Sequence, residues 1–208
     1  IARQWIARHC LRRVRRLHAD DDLSVYSHLI LSGSEASATE DRPWTSALEA
    51  VTRRAVGAGM PVRGICYGHQ FLARILLGRA HVRRAAMPEF GWIRLAPRPN
   101  LLFAGIEQLT VMVSHFDEVC NLSPNFRILG ASTDCAVHAF QYGDHPVWGV
   151  QFHPEYGSAE AEAIFRTLAA EFPALADRIG GLPPSPDPPS RNEAIFRNFL
   201  AQSRRTSL

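Results

Sequence analysis

The chain has 208 residues, a length that allows one domain or at most two small ones. Hydrophobic residues make up 46% and charged residues 21%, as in ordinary globular proteins, and no apolar run is long enough to span a membrane. All 23 basic residues are arginine, so chemistry that needs lysine, such as a Schiff base or a P-loop, is excluded. A net charge of +3 does not favour binding to nucleic acid or membranes.

The four cysteines, Cys10, Cys66, Cys120 and Cys135, lie far apart in the sequence. They form no CxxC pair, and no cluster of histidines stands near them at zinc-ligand spacing. The sequence therefore predicts neither a metal site nor a cofactor. The N-terminus lacks the zones of a secretory signal, which favours a reducing, cytoplasmic location.

The N-terminal segment has two interpretations. Apolar residues recur at helical steps over 6–17, which predicts a helix, whereas Leu11 to His18 also fits a short strand. The first residue is Ile1, and we expect the chain to begin inside a longer protein.

Two strand-helix pairs follow. Short apolar runs at His28–Leu31 and Val62–Ile65 predict buried strands, and apolar residues at helical spacing predict helices at Pro43–Gly57 and Gln70–Leu77. This alternation predicts an α/β fold with a mostly parallel central sheet flanked by helices.

Residues 91–150 contain shorter β-like runs, which we expect to be antiparallel additions to the sheet. They are Trp92–Leu95, Thr110–Val113, Ile128–Ala131, Val137–Tyr142 and Val147–Phe152. A helix is predicted at Ser158–Phe172, followed by a Pro-rich mobile connector at 180–191 and a C-terminal helix at 192–202. With no repeat and no second core, residues 1–208 are predicted to form a single domain.

The segment Gly64-Ile65-Cys66-Tyr67-Gly68 joins a predicted strand to a predicted helix. Glycine two residues before and two after a cysteine is typical of a nucleophile elbow, a sharp turn in which flanking side chains would collide. At the helix N-terminus the positive end of the dipole favours a thiolate, and a free amide can bind an oxyanion. The alternative is a buried structural cysteine beside two turn glycines.

A cysteine nucleophile needs a base, and the base needs an orienting group. His153 and Glu155 follow the strand predicted at Val147–Phe152 and, being two residues apart, can point the same way. Alone this pair is a common feature of a strand end. Together with the elbow it predicts a Cys-His-Glu triad.

These motifs resemble those of the class I (triad) glutamine amidotransferases, and most closely the GMP synthase-like glutaminase domains and their stand-alone relatives. The similar segments are Gly64–Gln70, Gly149–Glu155 and, at the family's glycine-rich oxyanion loop, Leu31–Ser34. Ser114–Asp117 and Phe196–Leu200 extend the resemblance over nearly all of the chain. It implies the family's flavodoxin-like fold.

The resemblance also implies a mechanism. Cys66 would attack the side-chain amide of glutamine and form a γ-glutamyl thioester, with His153, oriented by Glu155, moving the protons. The backbone amides of Gly33 and Tyr67 would form the oxyanion hole.

For substrate binding, the resemblance implies Gln70 together with the backbone near Ser114 and His115. Two positions depart from the family pattern. Glu35 stands where the oxyanion loop normally has proline, and Phe116 stands where glycine normally follows the Ser-His pair. Because Phe116 would reshape the pocket, the choice of substrate stays open.

The family begins with a hydrophobic strand near the centre of its sheet, and no such segment precedes the first predicted helix. Either the N-terminus is truncated or Leu11 to His18 replaces that strand. We favour truncation, because losing a central strand would leave backbone groups unpaired.

Three functions fit these observations. The first is a glutaminase that releases ammonia for a synthetase on a separate chain. The second is a γ-glutamyl peptidase that cleaves glutathione-like conjugates, which a wider pocket near Phe116 would favour. The third is a non-catalytic regulatory member of the family, which the missing strand favours and the intact triad opposes.

Overall fold

The computed structural model describes residues 18–174, 179 and 189–205. The helix predicted over 6–17, all of the alternative strand at Leu11 to His18 except its last residue, and residues 180–188 of the predicted connector lie outside these residues. The described elements, in chain order, are β1 (Leu29–Leu31), α1 (Thr45–Gly57), β2 (Val62–Ile65), α2 (Tyr67–Leu77), a 3₁₀ turn (Arg79–His81), β3 (Val82–Leu95), β4 (Leu109–Val119), β5 (Phe126–Gly130), β6 (Ala139–Tyr142), β7 (Val147–Val150), α3 (Ser158–Glu171) and α4 (Pro189–Leu200).

A mixed sheet of five strands forms the centre of the fold, in the order β1-β2-β7-β6-β5. Strands β1, β2 and β7 run parallel, while β6 is antiparallel to both β7 and β5. Every residue of β2 and β7 is buried, as expected of central strands covered on both faces. The prediction of an α/β fold with a parallel part and antiparallel additions is confirmed.

The two longest strands, β3 and β4, pair with each other and form a separate antiparallel sheet. The sequence had predicted their segments as additions to the central sheet, and this detail is wrong. The β3–β4 ladder shifts register between Arg84 and Glu89, and an isolated bridge between Met112 and His153 joins β4 to the chain just after β7. This second sheet therefore lies beside the carboxyl end of the parallel strands.

Apolar side chains cover both faces of the central sheet. On one face Val62, Phe140 and Val147 pack with Phe71 and Leu72 of α2. The other face belongs to a second cluster, which includes residues of β4 and of α4. Helix α2 is buried on nearly all sides from Tyr67 to Ile75, because it lies inside the domain rather than on its surface.

Helix boundaries differ from the sequence prediction by up to three residues. Helix α2 begins at Tyr67 rather than Gln70, and α4 spans Pro189–Leu200 rather than 192–202. Residues 189–191, predicted as part of the mobile connector, are therefore helical. Within the described part of the chain, we find no helix with the length and apolar character needed to cross a membrane.

Candidate active site

Cys66 occupies the turn between β2 and α2 with a φ of 49° and a ψ of −104°. A positive φ is unusual for a residue with a side chain and marks backbone strain. The strain is held by backbone hydrogen bonds on both sides: Cys66 N donates to Val150 O at 2.8 Å, and Gln70 N donates to Cys66 O at 3.1 Å. The turn therefore has the geometry of a nucleophile elbow.

The two glycines of the elbow allow the chain to pass close to itself. A Cβ on Gly64 would lie 2.3 Å from the backbone carbon and oxygen of Gly68, and a Cβ on Gly68 would lie 2.3 Å from the carbonyl oxygen of Leu31. Both distances are far below a normal contact. These contacts explain physically why glycine stands at both positions.

His153 follows β7 and is held by its backbone, since its N–H donates to Met112 O at 2.8 Å. Its ring Nδ1 lies 2.7 Å from Glu155 Oε1. Because a carboxylate oxygen accepts, Nδ1 carries a proton, and Nε2 is the ring nitrogen left to interact with Cys66. The predicted Cys66, His153 and Glu155 are thus brought together in a continuous series of contacts.

The charge state of His153 follows from its neighbours. Burial alone would lower the pKa of His153, but the hydrogen bonds and charges of Cys66 and Glu155 outweigh it and raise that pKa from 6.5 to about 10. The ring is therefore protonated at neutral pH and lies next to the sulfur. The ring of Tyr156 packs against the ring of His153, with centroids 5.1 Å apart.

Arg63 is a charged neighbour of this group that the sequence analysis missed. It is fully buried in β2, and its guanidinium carbon lies 4.2 Å from the centre of the Phe196 ring. Burial lowers the pKa of Arg63 to about 10, and the charge of Glu155 opposes that change. The sequence around Arg63 did not indicate that this residue lies near the triad. Its neighbour Phe196 belongs to α4, a helix more than 120 residues later in the chain.

Gly33 lies against the side chains of both Cys66 and His153. A Cβ placed on it would be 2.9 Å from His153 Cε1 and 3.6 Å from Cys66 Cβ. Tyr67 is the first residue of α2, so its N–H has no acceptor within the helix. The structure thus brings both residues predicted for the oxyanion hole next to Cys66.

Gln70 lies one turn into α2 and is buried. Its amide nitrogen donates to Asp117 O at 2.7 Å and to Gln151 Oε1 at 3.1 Å. Both protons of the amide are therefore engaged by the protein. Gln151 was not predicted, although it stands two residues before His153.

Ser114 and His115 lie on β4, beside the elbow. The Cys66 thiol points to Ser114 O, 3.7 Å from the sulfur. The His115 side chain is buried and turns away to Asp117 O and Glu89. Phe116 packs edge-on against Phe90, with ring centroids 4.9 Å apart. Backbone groups of β4, rather than the His115 ring, therefore face the cysteine.

His69, next to the elbow, lies away from these contacts. It is fully buried, and its ring lies 4.8 Å from that of Phe140 between centroids. Burial lowers the pKa of His69 to about 3, so the ring is neutral. It packs in the core.

This arrangement is accompanied by a match to a known family. The profile of the class-I glutamine amidotransferase family matches residues 1–170. The chain belongs to that family, and the resemblance seen in its motifs is confirmed.

Individual relatives agree with this assignment. The chain is 37% identical over 113 residues to a glutamine-hydrolyzing GMP synthase subunit from Pyrococcus abyssi, covering 53% of this chain and 59% of that protein. It is 32% identical over 174 residues to the glutamine-hydrolyzing GMP synthase of Bacteroides fragilis, covering 77% of this chain and 33% of that protein. The chain therefore spans from about a third to about six-tenths of these curated relatives.

The fold is also similar to solved structures. A glutamine amidotransferase from Thermotoga maritima aligns with a TM-score of 0.70 at 22% identity, covering 87% of this chain and 79% of that chain. At this identity the likeness concerns the fold, which it confirms.

Proposed function

We propose that the chain is a glutaminase that hydrolyses the side-chain amide of glutamine with Cys66, His153 and Glu155 as its triad. The observation that carries the proposal is the run of contacts from the Cys66 sulfur through the His153 ring to Glu155 Oε1, 2.7 Å from Nδ1. Membership in the class-I amidotransferase family supports the same chemistry.

In the first half-reaction the Cys66 thiolate attacks the amide carbon of glutamine, and the carbonyl oxygen becomes an oxyanion. The amides of Gly33 and Tyr67 donate to that oxygen, and losing one such donor typically costs about 3–4 kcal/mol of barrier. Protonated His153 then gives its Nε2 proton to the leaving nitrogen. Ammonia departs, and the γ-glutamyl group is left on the sulfur as a thioester.

In the second half-reaction water attacks the thioester. His153, now neutral, takes a proton from that water, and glutamate leaves as the thiolate returns. Glu155 accepts from Nδ1 in both states and so keeps Nε2 directed at the sulfur. The positive charge of Arg63 interacts favourably with the same carboxylate.

Substrate binding falls to β4. Backbone groups near Ser114 and His115 would receive the α-amino and carboxylate ends of glutamine, since this strand reaches the cysteine. Gln70 would contribute indirectly, because both its amide protons are engaged and one of them holds Asp117 O of the same strand. Its role would be to fix the position of β4.

The ammonia would serve a synthetase on a separate chain. Support for this comes from the relatives named GMP synthase, one of which is named as a subunit of that enzyme rather than the whole of it. The synthetase that uses the ammonia would be the partner of this chain.

The test is glutamate release from glutamine and from a γ-glutamyl dipeptide, measured in parallel on the full chain. We expect glutamine to be preferred, and Cys66→Ala to abolish turnover of both. Cys120→Ala is the matched control, because Cys120 is also buried but donates to Ala80 O, away from His153. That variant should retain its activity.

Two outcomes would contradict the proposal. Preference for the dipeptide would make the chain a γ-glutamyl peptidase with the same triad. Substantial turnover by Cys66→Ala, in a chain shown by circular dichroism to be folded, would remove Cys66 as the nucleophile.

A further inference from the structure

Four side chains of the metal-ligating kind meet between the two sheets, outside the triad. They are Glu89, His115, Cys135 and His138, all buried, and their ligand atoms lie within 4.8 Å of one another. Glu89 on β3 is paired in register with His115 on β4. Cys135 and His138 stand in the connection between β5 and β6. The cluster therefore joins the β3–β4 sheet to the central sheet.

The hydrogen bonds of His115 leave its second nitrogen facing an acceptor. Nδ1 lies 3.0 Å from Asp117 O, a carbonyl that can only accept, so Nδ1 carries a proton. Nε2 then points its lone pair at Glu89 Oε2, 3.0 Å away. Two acceptors cannot stay this close in the core without a positive charge between them, which must be either a further proton or a metal ion.

His138 points its Nε2 at the same carboxylate, although a neutral ring with its proton on Nε2 satisfies this contact by itself. Its Nε2 lies 3.0 Å from Ser132 Oγ and 3.0 Å from Glu89 Oε2. The Ser132 hydroxyl already donates its proton to Glu89 Oε1 at 2.8 Å. His138 Nδ1 has no hydrogen-bond partner in the described part of the chain. The polar contacts of this fully buried ring thus run through Nε2, towards the cluster.

Cys135 adds a fourth donor, of a kind that favours a metal ion over a proton. A thiol is a weak hydrogen-bonding group, whereas a thiolate is a strong ligand for zinc. Bonds of about 2.0–2.3 Å to zinc place tetrahedral ligand atoms about 3.3–3.7 Å apart. In this cluster two separations are 3.0 Å and none exceeds 4.8 Å, so small side-chain shifts would complete the tetrahedron.

We infer that Glu89, His115, Cys135 and His138 bind one Zn²⁺. Binding releases the thiol proton of Cys135 and any proton on the Nε2 atoms, and the ion takes their place. One carboxylate oxygen, two imidazole nitrogens and one thiolate fill a tetrahedral site. Because the protein supplies all four ligands, the site is structural and leaves no position for substrate.

The position of the site indicates what it stabilises. Asp117 O accepts from His115 Nδ1 and also from Gln70, which ties the site to α2. A partner on the second nitrogen is the usual support of a zinc-bound histidine. Ser114, next to His115, faces the Cys66 sulfur. The metal would therefore fix the strand that lines the candidate active site.

The test is zinc content and Co²⁺ substitution on the full-length chain. It is done in a Cys66→Ala background, so that the active-site thiol cannot contribute a ligand. We expect one zinc per chain after purification from zinc-supplemented medium. Replacement by Co²⁺ should give the intense visible absorption of a tetrahedral site together with a thiolate charge-transfer band.

Matched variants locate the site. Cys135→Ser should lose both the thiolate band and stoichiometric zinc, and His138→Gln should lose stoichiometric zinc, while Cys120→Ser and His145→Gln should keep the band and the zinc. Removing the metal with a chelator should lower the melting temperature of the Cys66→Ala parent chain. It should not change that of Cys135→Ser, which has no metal to lose. Absence of zinc and of a cobalt spectrum in the folded parent chain overturns the inference. So does metal that is retained by both Cys135→Ser and His138→Gln.

Discussion

Alanine at position 68 tests how closely β1 and α2 must approach each other. A Cβ there would lie 2.3 Å from the Leu31 carbonyl oxygen and 2.7 Å from Leu31 Cβ. Because the obstacle includes backbone, the strand and the helix must separate by about 1 Å to reach normal contact. Such overpacking typically costs about 1–3 kcal/mol of the free energy of unfolding. Activity should fall as well, because β1 leads directly into the loop that carries Gly33.

Gly57→Ala makes the same chemical change with the opposite expectation. Gly57 ends α1, and a Cβ there meets nothing within 4 Å. Alanine should leave the stability unchanged or raise it by about 0.4–1 kcal/mol, because it restricts the unfolded chain.

The assay is thermal and urea unfolding of both variants beside the parent chain. In a chain of this size, 1 kcal/mol moves the melting temperature by about 2–4 °C. Gly68→Ala should therefore melt several degrees lower and Gly57→Ala should not. If Gly68→Ala is as stable and as active as the parent, the close packing of β1 against the elbow is wrong.

Three further predictions concern the triad. Gly33→Ala would place a Cβ 2.9 Å from His153 Cε1, so the ring or the Gly33 amide must move out of position. If the amide can no longer donate to the oxyanion, kcat should fall by about 100-fold, with little change in melting temperature. Glu155→Gln removes one of the groups that raise the His153 pKa, so that pKa, followed by NMR, should move down towards 6.5; an unchanged value would exclude the orienting contact. Protonated His153 stabilises the fold fully below pH 6.5, and this contribution is lost as the pH rises through about 10. The free energy of unfolding in urea should therefore decline more over this pH window for the parent chain than for His153→Asn. Equal declines in the two chains would contradict the raised pKa.

Local sequence patterns predicted the elbow and the His-Glu pair because both lie at the ends of short buried strands. There, the position of a side chain follows from the strand itself. Cys66 needs only its flanking glycines, and His153 and Glu155 need only a spacing of two. Strand β2 was predicted with the bounds that the structure has.

Features that depend on pairing between distant segments could not be predicted. Strands β3 and β4 carry charged residues at irregular positions and a register shift between Arg84 and Glu89, so neither shows a clean alternation. The same reason hid the cluster of Glu89, His115, Cys135 and His138. Only the last two stand near each other in the sequence, and the hairpin brings the other two to them.

Covalent labelling tests the central claim most directly. A diazoketone analogue of glutamine carries an electrophilic carbon where glutamine has its amide, so a nucleophile that binds glutamine should be alkylated by it. We expect mass spectrometry to find one adduct per chain, on the peptide containing Cys66, and glutamine to protect against it. An adduct on Cys120 or Cys135 instead, or none on the folded chain, would contradict the assignment of Cys66 as the glutamine-attacking residue.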